Sequence, residues 1–65
     1  MKLQVNGAPI DTDVTSLAQL LEAQGFGDAK VATAVNGTFV AASMRVGHTL
    51  NDGDAVEILA PMQGG

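Results

Sequence analysis

The chain has 65 residues, 46% of them apolar and only 3% aromatic, with no cysteine and a formal net charge of −4. This length predicts one domain with an aliphatic core, and the lack of cysteine excludes disulfides, thiol nucleophiles and cysteine-ligated metals. The acidic balance argues against a nucleic-acid partner, because phosphate contact needs clustered lysine and arginine.

No membrane segment is predicted. The first ten residues lack the long apolar stretch of a signal peptide. No apolar run is long enough to cross a bilayer. We therefore expect a cytoplasmic protein without a membrane partner.

The chain opens with a predicted β-hairpin. Leu3 and Val5 alternate with polar residues, as in a strand that buries one face. The Asn6-Gly7 pair favours a type I′ turn. The return strand runs through Pro9, which restricts it to an edge or a first position, and ends near Asp11.

One amphipathic helix is predicted over residues 17–24. Ser16 and Gln19 form a capping box at its start. Gly25 supplies the left-handed position after its last turn, and Phe26 can cover the helix end from outside. The apolar stripe that faces the sheet consists of Leu17, Leu20 and Leu21.

The second half of the chain predicts three more strands. Residues 31–40 form a hairpin around a second Asn-Gly pair, at 36–37. Residues 41–49 are irregular, with room for one short helical turn. The last strand covers 55–59 and buries Val56 and Ile58 on one face, and Pro61 stops it. Its β-branched character favours a central position, parallel to the first strand.

The order β-β-α-β-β-β predicts an α+β fold of the β-grasp (ubiquitin-like) type. Its mixed sheet has four to five strands and is covered by one main helix. We expect residues 1–60 to form the domain and residues 61–65 to form a flexible diglycine tail.

The polar residues of the loops do not form a convincing catalytic or metal site. Asp52 and Asp54 lack the further oxygen ligands and the closing glutamate of a calcium loop, so they favour a plain turn. Ser43, His48 and Asp52 could be arranged as a triad only by chance. Arg45 is interpreted either as a solvated charge, paired with an acidic neighbour at most, or as a partner contact.

The segment "PMQGG" is the strongest functional candidate. Residues 61–65 would reach roughly 16 Å beyond the domain when extended. Gly64 and Gly65 have no side chains, so their backbone can enter a narrow channel. The α-carboxylate of Gly65 becomes reactive if a partner converts it into an acyl-adenylate, and sulfur or an amine can then replace AMP.

The whole chain resembles the ThiS family, the sulfur carrier proteins of thiamine biosynthesis. The resemblance rests on the helix "SLAQLLEAQG", the hairpin "AVNGTFV" and the ending "LNDGDAVEILAPMQGG". It implies that Gly65 is the carrier residue and that Gly64 is the slender approach residue. Gln63 and Met62 complete the tail. The protein would then be a carrier and co-substrate, not an enzyme.

The resemblance also implies the partners. A ubiquitin-activating-type adenylyltransferase would adenylate Gly65 with ATP and Mg, which this chain does not bind itself. A cysteine desulfurase would supply sulfur for a C-terminal thiocarboxylate, and thiazole synthase would consume it. Members of the family often carry Pro-Arg after the second "NG-x-x-V". Here Arg45 is the displaced counterpart, which changes the contacts expected of this loop.

The docking surface is predicted on the sheet next to the last strand. Val40, Ile58 and Met62 are candidates because they flank the tail, and Arg45 is a fourth. Two alternatives stay open on the same fold: the small subunit of molybdopterin synthase, or a ubiquitin-like modifier. A third alternative is a β-grasp interaction module without chemistry at its tail.

Overall fold

A computed structural model describes residues 1–27 and 29–60. Two hairpins flank one α-helix, and a last strand follows a 3₁₀ turn, as the sequence predicts. The elements are β1 (Lys2–Val5), β2 (Ala8–Asp11), α1 (Leu17–Ala23), β3 (Ala32–Val35), β4 (Thr38–Val40), the 3₁₀ turn η1 (Ala42–Met44) and β5 (Ala55–Leu59). No helix in the described ranges is both long enough and apolar enough to cross a bilayer.

The five strands form one mixed sheet in the order β2-β1-β5-β3-β4. β5 lies in the centre, parallel to β1 and antiparallel to β3. This confirms the predicted central position and parallel pairing. β2 lies at the edge, where Pro9 is opposite Gln4 and its missing N–H does not interrupt a central ladder.

The core lies between the helix and one face of the sheet. Strand alternation sends Leu3, Val35, Val56 and Ile58 inward. The helical stripe of Leu17, Leu20 and Leu21 meets them and is almost fully buried. Phe26 packs against this cluster from outside. The core contains no fully buried aromatic side chain among the described residues.

The helix ends as its sequence predicts, one residue earlier than expected. Gln24 is the cap rather than the last helical residue. Gly25 has φ +87°, and its amide donates to the Glu22 carbonyl at 3.2 Å. The Phe26 amide donates to the Leu21 carbonyl at 2.8 Å. These two bonds form a Schellman motif, which satisfies carbonyls that the helix leaves free.

The start of the helix differs in part from the predicted capping box. The Gln19 amide donates to the Ser16 hydroxyl oxygen at 3.2 Å, as expected. The Gln19 side-chain oxygen, however, accepts from the Thr15 amide at 2.7 Å, one residue before the expected donor. The amide of Leu17, the first residue of the helix, donates to the His48 carbonyl at 3.0 Å. Residues 45–48 therefore help to cap the helix, a tertiary contact that no local pattern reveals.

Both Asn-Gly pairs form the predicted tight turns and also hold β5. Asn6 and Asn36 each have φ 51°, followed by glycines at φ 83°. The Asn6 side chain donates to the Ile58 carbonyl at 3.1 Å and accepts from the Ile58 amide at 2.8 Å. On the other side of β5, the Asn36 side chain accepts from the Ala55 amide at 3.0 Å. The two turns thus hold the strand that leads to the tail.

Candidate docking face and tail exit

The predicted tail residues Met62, Gln63, Gly64 and Gly65 lie outside the described residues. The structure describes the chain up to Ala60, which follows the last residue of β5. β5 is hydrogen-bonded to neighbours on both sides. The last described residue therefore follows the central strand of the sheet.

The face of the sheet that points away from the helix carries an exposed apolar surface. We call it the outer face. Leu59 is 66% exposed and Phe39 is 69% exposed. Small residues between them leave a shallow hollow of about 110 Å³. The outer face consists of Ala32, Ala34, Phe39, Glu57 and Leu59. Two large exposed apolar side chains beside one hollow are the kind of surface that partner proteins cover.

The predictions for Val40 and Ile58 as docking residues are wrong. Val40 is 6% exposed and Ile58 is 4% exposed, and both belong to the core cluster. The reason is strand alternation: a residue that faces the helix cannot face a partner. Their sequence neighbours Phe39 and Leu59 occupy the opposite face. The signal was present in the sequence, because the burial of Ile58 requires Leu59 to point outward.

Arg45 has a structural role that neither interpretation of the sequence described. Its Nε donates to the Thr33 hydroxyl oxygen at 2.9 Å, and its Nη2 donates to the Val31 carbonyl at 2.6 Å. The Thr33 hydroxyl in turn donates to the Val40 carbonyl at 2.8 Å. Arg45 is therefore half-buried, and these two bonds are to neutral groups and not to an acidic neighbour. It fastens the loop to the second hairpin.

A larger groove lies where the chain leaves β5. Its volume is about 480 Å³. Ala29, Ala32, Ala42 and Leu59 provide apolar lining, Lys30 and Arg45 provide positive charge, and Ala60 lies at its edge. Ala32 and Leu59 line both this groove and the hollow of the outer face. The exit of the chain and the apolar face are thus one continuous surface.

The acidic residues before β5 form a turn, as the sequence favours. The Asp52 carboxylate accepts from the Lys2 amide at 2.6 Å. The Asp54 carboxylate accepts from the Asn51 amide at 2.8 Å and from the Asn36 side chain at 2.9 Å. The Asn51 hydrogen bond, followed by that of Asn36, lowers the pKa of Asp54 below its usual value. Each carboxylate therefore accepts a hydrogen bond from a backbone amide and stabilises the turn before β5.

The other loop candidates are not assembled into a site. In the part of the chain that the structure describes, no hydrogen bond joins Ser43, His48 and Asp52 to one another. Within the same ranges, no group of three or more His, Cys, Asp or Glu side chains is placed to hold a metal ion. The backbone of His48 forms hydrogen bonds with the backbones of Leu17 and Arg45.

A mixed five-stranded sheet with one covering helix and an exposed apolar sheet face defines a small β-grasp domain. The sequence profile of the ThiS family matches residues 3–65. The chain belongs to the ThiS family.

Two solved structures support this assignment. The chain is similar to the crystal structure of the thiamine biosynthesis protein ThiS from Geobacter metallireducens, with a TM-score of 0.85, 36% identity and 100% coverage of both chains. It is also similar to the NMR solution structure of a thiamine biosynthesis protein from Geobacter metallireducens. That comparison gives a TM-score of 0.80 and 35% identity, and it covers 100% of this chain and 88% of the other. No curated protein matches the chain significantly.

Proposed function

We propose that the protein is a sulfur carrier for the thiazole branch of thiamine biosynthesis and that Gly65 is the carrier residue. The observation that carries the proposal is the ThiS family match, which extends to Gly65. The similarity to ThiS from Geobacter metallireducens over the full chain supports the same role. The arrangement of the fold is compatible with it, because β5 is held on both sides and leads directly into the tail.

The proposed chemistry takes place on the Gly65 carboxylate. The carboxylate attacks the α-phosphate of Mg-ATP on an adenylyltransferase, which releases pyrophosphate and leaves an acyl-adenylate. A persulfide from a cysteine desulfurase attacks the acyl carbon and expels AMP. The product of this attack is an acyl disulfide. A thiol then reduces it to the thiocarboxylate, which thiazole synthase consumes. The chain itself is a co-substrate in these steps, because the nucleotide and the metal belong to the partner.

The outer face is the proposed docking surface for the adenylyltransferase. Phe39 and Leu59 are its two large exposed apolar side chains, and aromatic residues often anchor protein interfaces. Leu59 is one residue from the end of the described chain, so an enzyme bound there is next to the tail. Glu57 on the same face, together with the net charge of −4, favours a basic partner surface.

Intact-protein mass spectrometry tests the carrier role. The purified protein is incubated with the adenylyltransferase, Mg-ATP, cysteine and the desulfurase. We expect the mass increase that corresponds to replacing one oxygen with sulfur. Deletion of Gly65 should abolish it, and so should one residue appended after Gly65, which leaves the domain unchanged. An adduct that persists in either variant would show that the sulfur is carried elsewhere.

The pathway is tested by the acceptor of the sulfur. The thiocarboxylate form is offered separately to thiazole synthase and to the large subunit of molybdopterin synthase with its precursor. We expect sulfur transfer only with thiazole synthase. Transfer only to the molybdopterin precursor would contradict the thiamine assignment but not the carrier role. A protein that forms no adduct with any activating enzyme would be an interaction module.

A further inference from the structure

The tripeptide Val-Asn-Gly occurs twice in the chain, at 5–7 and at 35–37. Asparagine followed by glycine is prone to spontaneous deamidation, because glycine has no side chain to hinder attack by its own amide nitrogen. Both pairs form the same turn, with φ 51° at the asparagine and φ 83° at the glycine. The two sites are matched in sequence and backbone, so the contacts of each asparagine side chain distinguish them.

The reaction takes place within one residue pair and needs only water. The Gly37 amide nitrogen loses its proton to the solvent and forms a bond to Cγ of Asn36. The Cγ–Nδ2 bond breaks, and Nδ2 takes a proton from the solvent and leaves as ammonia. Water then opens the resulting succinimide ring at either carbonyl carbon, which gives aspartate or its β-linked isomer, isoaspartate. Hydrogen bonds that hold the side chain away from the glycine nitrogen therefore slow the first step.

The Asn6 side chain is held by a buried residue of the central strand. Its Nδ2 donates to the Ile58 carbonyl at 3.1 Å, and its Oδ1 accepts from the Ile58 amide at 2.8 Å. Both bonds are partly buried. Ile58 lies within β5 and is opposite Thr33 of β3. Release of Asn6 therefore breaks two bonds to the interior of a paired strand.

The Asn36 side chain is held at the start of the same strand. Its Oδ1 accepts from the amide of Ala55, the first residue of β5, at 3.0 Å. Its Nδ2 donates to the Asp54 carboxylate, in the turn before β5, at 2.9 Å. Both bonds are exposed, so water replaces them at little cost. Local opening of one strand end is enough to release Asn36, and strand ends open more readily than strand interiors.

We propose that the Asn36-Gly37 pair is a site of spontaneous deamidation in the folded protein, and that the bonds to Ile58 protect Asn6-Gly7. The two glycines do not distinguish the sites, because a Cβ built on Gly7 or on Gly37 would meet no atom within 4 Å. Release of the side chain is the step that differs. This modification is independent of the proposed carrier function.

The product alters the turn in two ways. Deamidation replaces the Nδ2 that donates to Asp54 with an oxygen, so two carboxylates come together and repel each other. Isoaspartate also inserts one methylene group into the main chain of a two-residue turn. The length of this turn fixes the register in which Phe39 is opposite Ala34. The modified chain therefore has a weaker start of β5 and a displaced Phe39 on the outer face.

Peptide mapping of the intact chain tests the proposal. The folded protein is incubated at mildly alkaline pH and then digested with trypsin. Cleavage after Lys30 and Arg45 places the three asparagines, Asn6, Asn36 and Asn51, in separate peptides. Deamidation raises the peptide mass by the difference between an oxygen and an NH group, and fragmentation assigns the increase to one residue. We expect Asn36 to react roughly tenfold faster than Asn6.

The chain provides two internal controls. Asn51 is followed by Asp52, whose side chain hinders the attack, so Asn51 should react more slowly than Asn36. In concentrated urea, the two Val-Asn-Gly tripeptides should react at similar rates. Similar rates at Asn6 and Asn36 in the folded protein would overturn the proposal. So would a folded protein in which Asn36 stays intact while the unfolded chain reacts.

The variant Asp54→Ala tests the role of the side-chain bonds. It removes the acceptor of the Asn36 Nδ2, so deamidation at Asn36 should become about three- to tenfold faster, with no change at Asn6. Glu57→Ala is the matched control, because it removes an exposed carboxylate of β5, and it should leave both rates unchanged. An unchanged rate at Asn36 in Asp54→Ala would contradict the proposal. Equal acceleration at both sites would also contradict it, since global unfolding would then control the reaction.

Discussion

Asn6 combines two roles that usually fall to different residues. Its backbone takes the positive φ that a type I′ turn requires. Its side chain meanwhile replaces a strand neighbour, by pairing with both backbone groups of Ile58. Asn36 repeats the turn, but its side chain pairs with the Ala55 amide and the exposed Asp54 carboxylate. The Asn6 bonds are partly buried and those of Asn36 are exposed.

This difference predicts unequal effects of the same substitution. Asn6→Gly keeps the positive φ and removes the two bonds to Ile58, so we expect a loss of about 1–3 kcal/mol in the free energy of unfolding. Asn36→Gly serves as the matched control, and its loss should be smaller, because water replaces the exposed bonds. Urea denaturation measures both. Equal losses would mean that only the turn matters at these positions.

Arg45 shows the limit of what a single residue's identity predicts. A lone basic residue in an irregular loop is typical of a solvated charge or a partner contact. In the structure, its donors reach the Thr33 hydroxyl oxygen and the Val31 carbonyl. Both acceptors are more than ten positions away in sequence. No local pattern could select them, because only the packed fold brings the loop against β3.

At the scale of elements, the end of α1 depends on one glycine. Gly25 has φ +87°, and a Cβ there would meet no atom within 4 Å. The cost of Gly25→Ala is therefore one of backbone conformation alone, and we expect about 1–2 kcal/mol of destabilisation. Gly47→Ala is the matched control. Gly47 also has open space around it, without a positive φ, so the substitution should be neutral or slightly stabilising. Thermal unfolding of the two variants distinguishes backbone strain from a general effect of alanine.

The turn before β5 makes stability depend on pH. Hydrogen bonds from the Asn51 amide and the Asn36 side chain lower the pKa of Asp54 below that of an ordinary aspartate. The folded state therefore binds this proton less readily than the unfolded state. The stabilisation is complete above the unfolded-state value and is lost as pH falls through the folded-state value.

We expect the unfolding free energy to fall below about pH 4 in the wild type, and less steeply in Asp54→Asn. Asp13→Asn is a control, because among the described residues this exposed carboxyl forms neither a hydrogen bond nor the ion pair that Asp11 makes with the N-terminal ammonium. The test is the urea midpoint measured from pH 2 to pH 6, a range that extends about two units on either side of pH 4. Identical slopes for Asp54→Asn and the wild type would contradict the role of Asp54.

The elements were predictable because their signals are local. The two Asn-Gly pairs, the Ser16 cap and the Gly25 stop each lie within a few residues of the backbone they control. Val40 and Ile58 were mispredicted as docking residues for a different reason. Both residues were expected beside the tail, but the alternation of β4 and β5 turns their side chains toward the helix. The hydrogen bond from Leu17 to His48 could not be predicted, because it joins segments that only the fold brings together.

In the whole molecule, one face of the sheet stabilises the fold and the opposite face is the proposed docking surface. The inner face forms the core with the helix, and the outer face exposes Phe39 and Leu59. Neighbouring residues of β4 therefore serve opposite purposes: Val40 belongs to the core, while Phe39 lies on the proposed docking face. A substitution at one position should affect folding, and the same substitution at the other should affect binding.

The pair Phe39→Ser and Val40→Ser tests this separation. Val40→Ser opens a cavity and buries a hydroxyl, so we expect it to destabilise the domain by about 2–4 kcal/mol. Phe39→Ser should change the unfolding free energy by only about 0.5 kcal/mol, because the ring is 69% exposed. It should nevertheless raise the Kd for the adenylyltransferase about tenfold or more, as removal of an aromatic anchor does. Calorimetric titration gives the Kd and urea denaturation gives the stability. If Phe39→Ser leaves the Kd unchanged while the domain stays folded, the enzyme docks on another surface, and the outer face loses its proposed role.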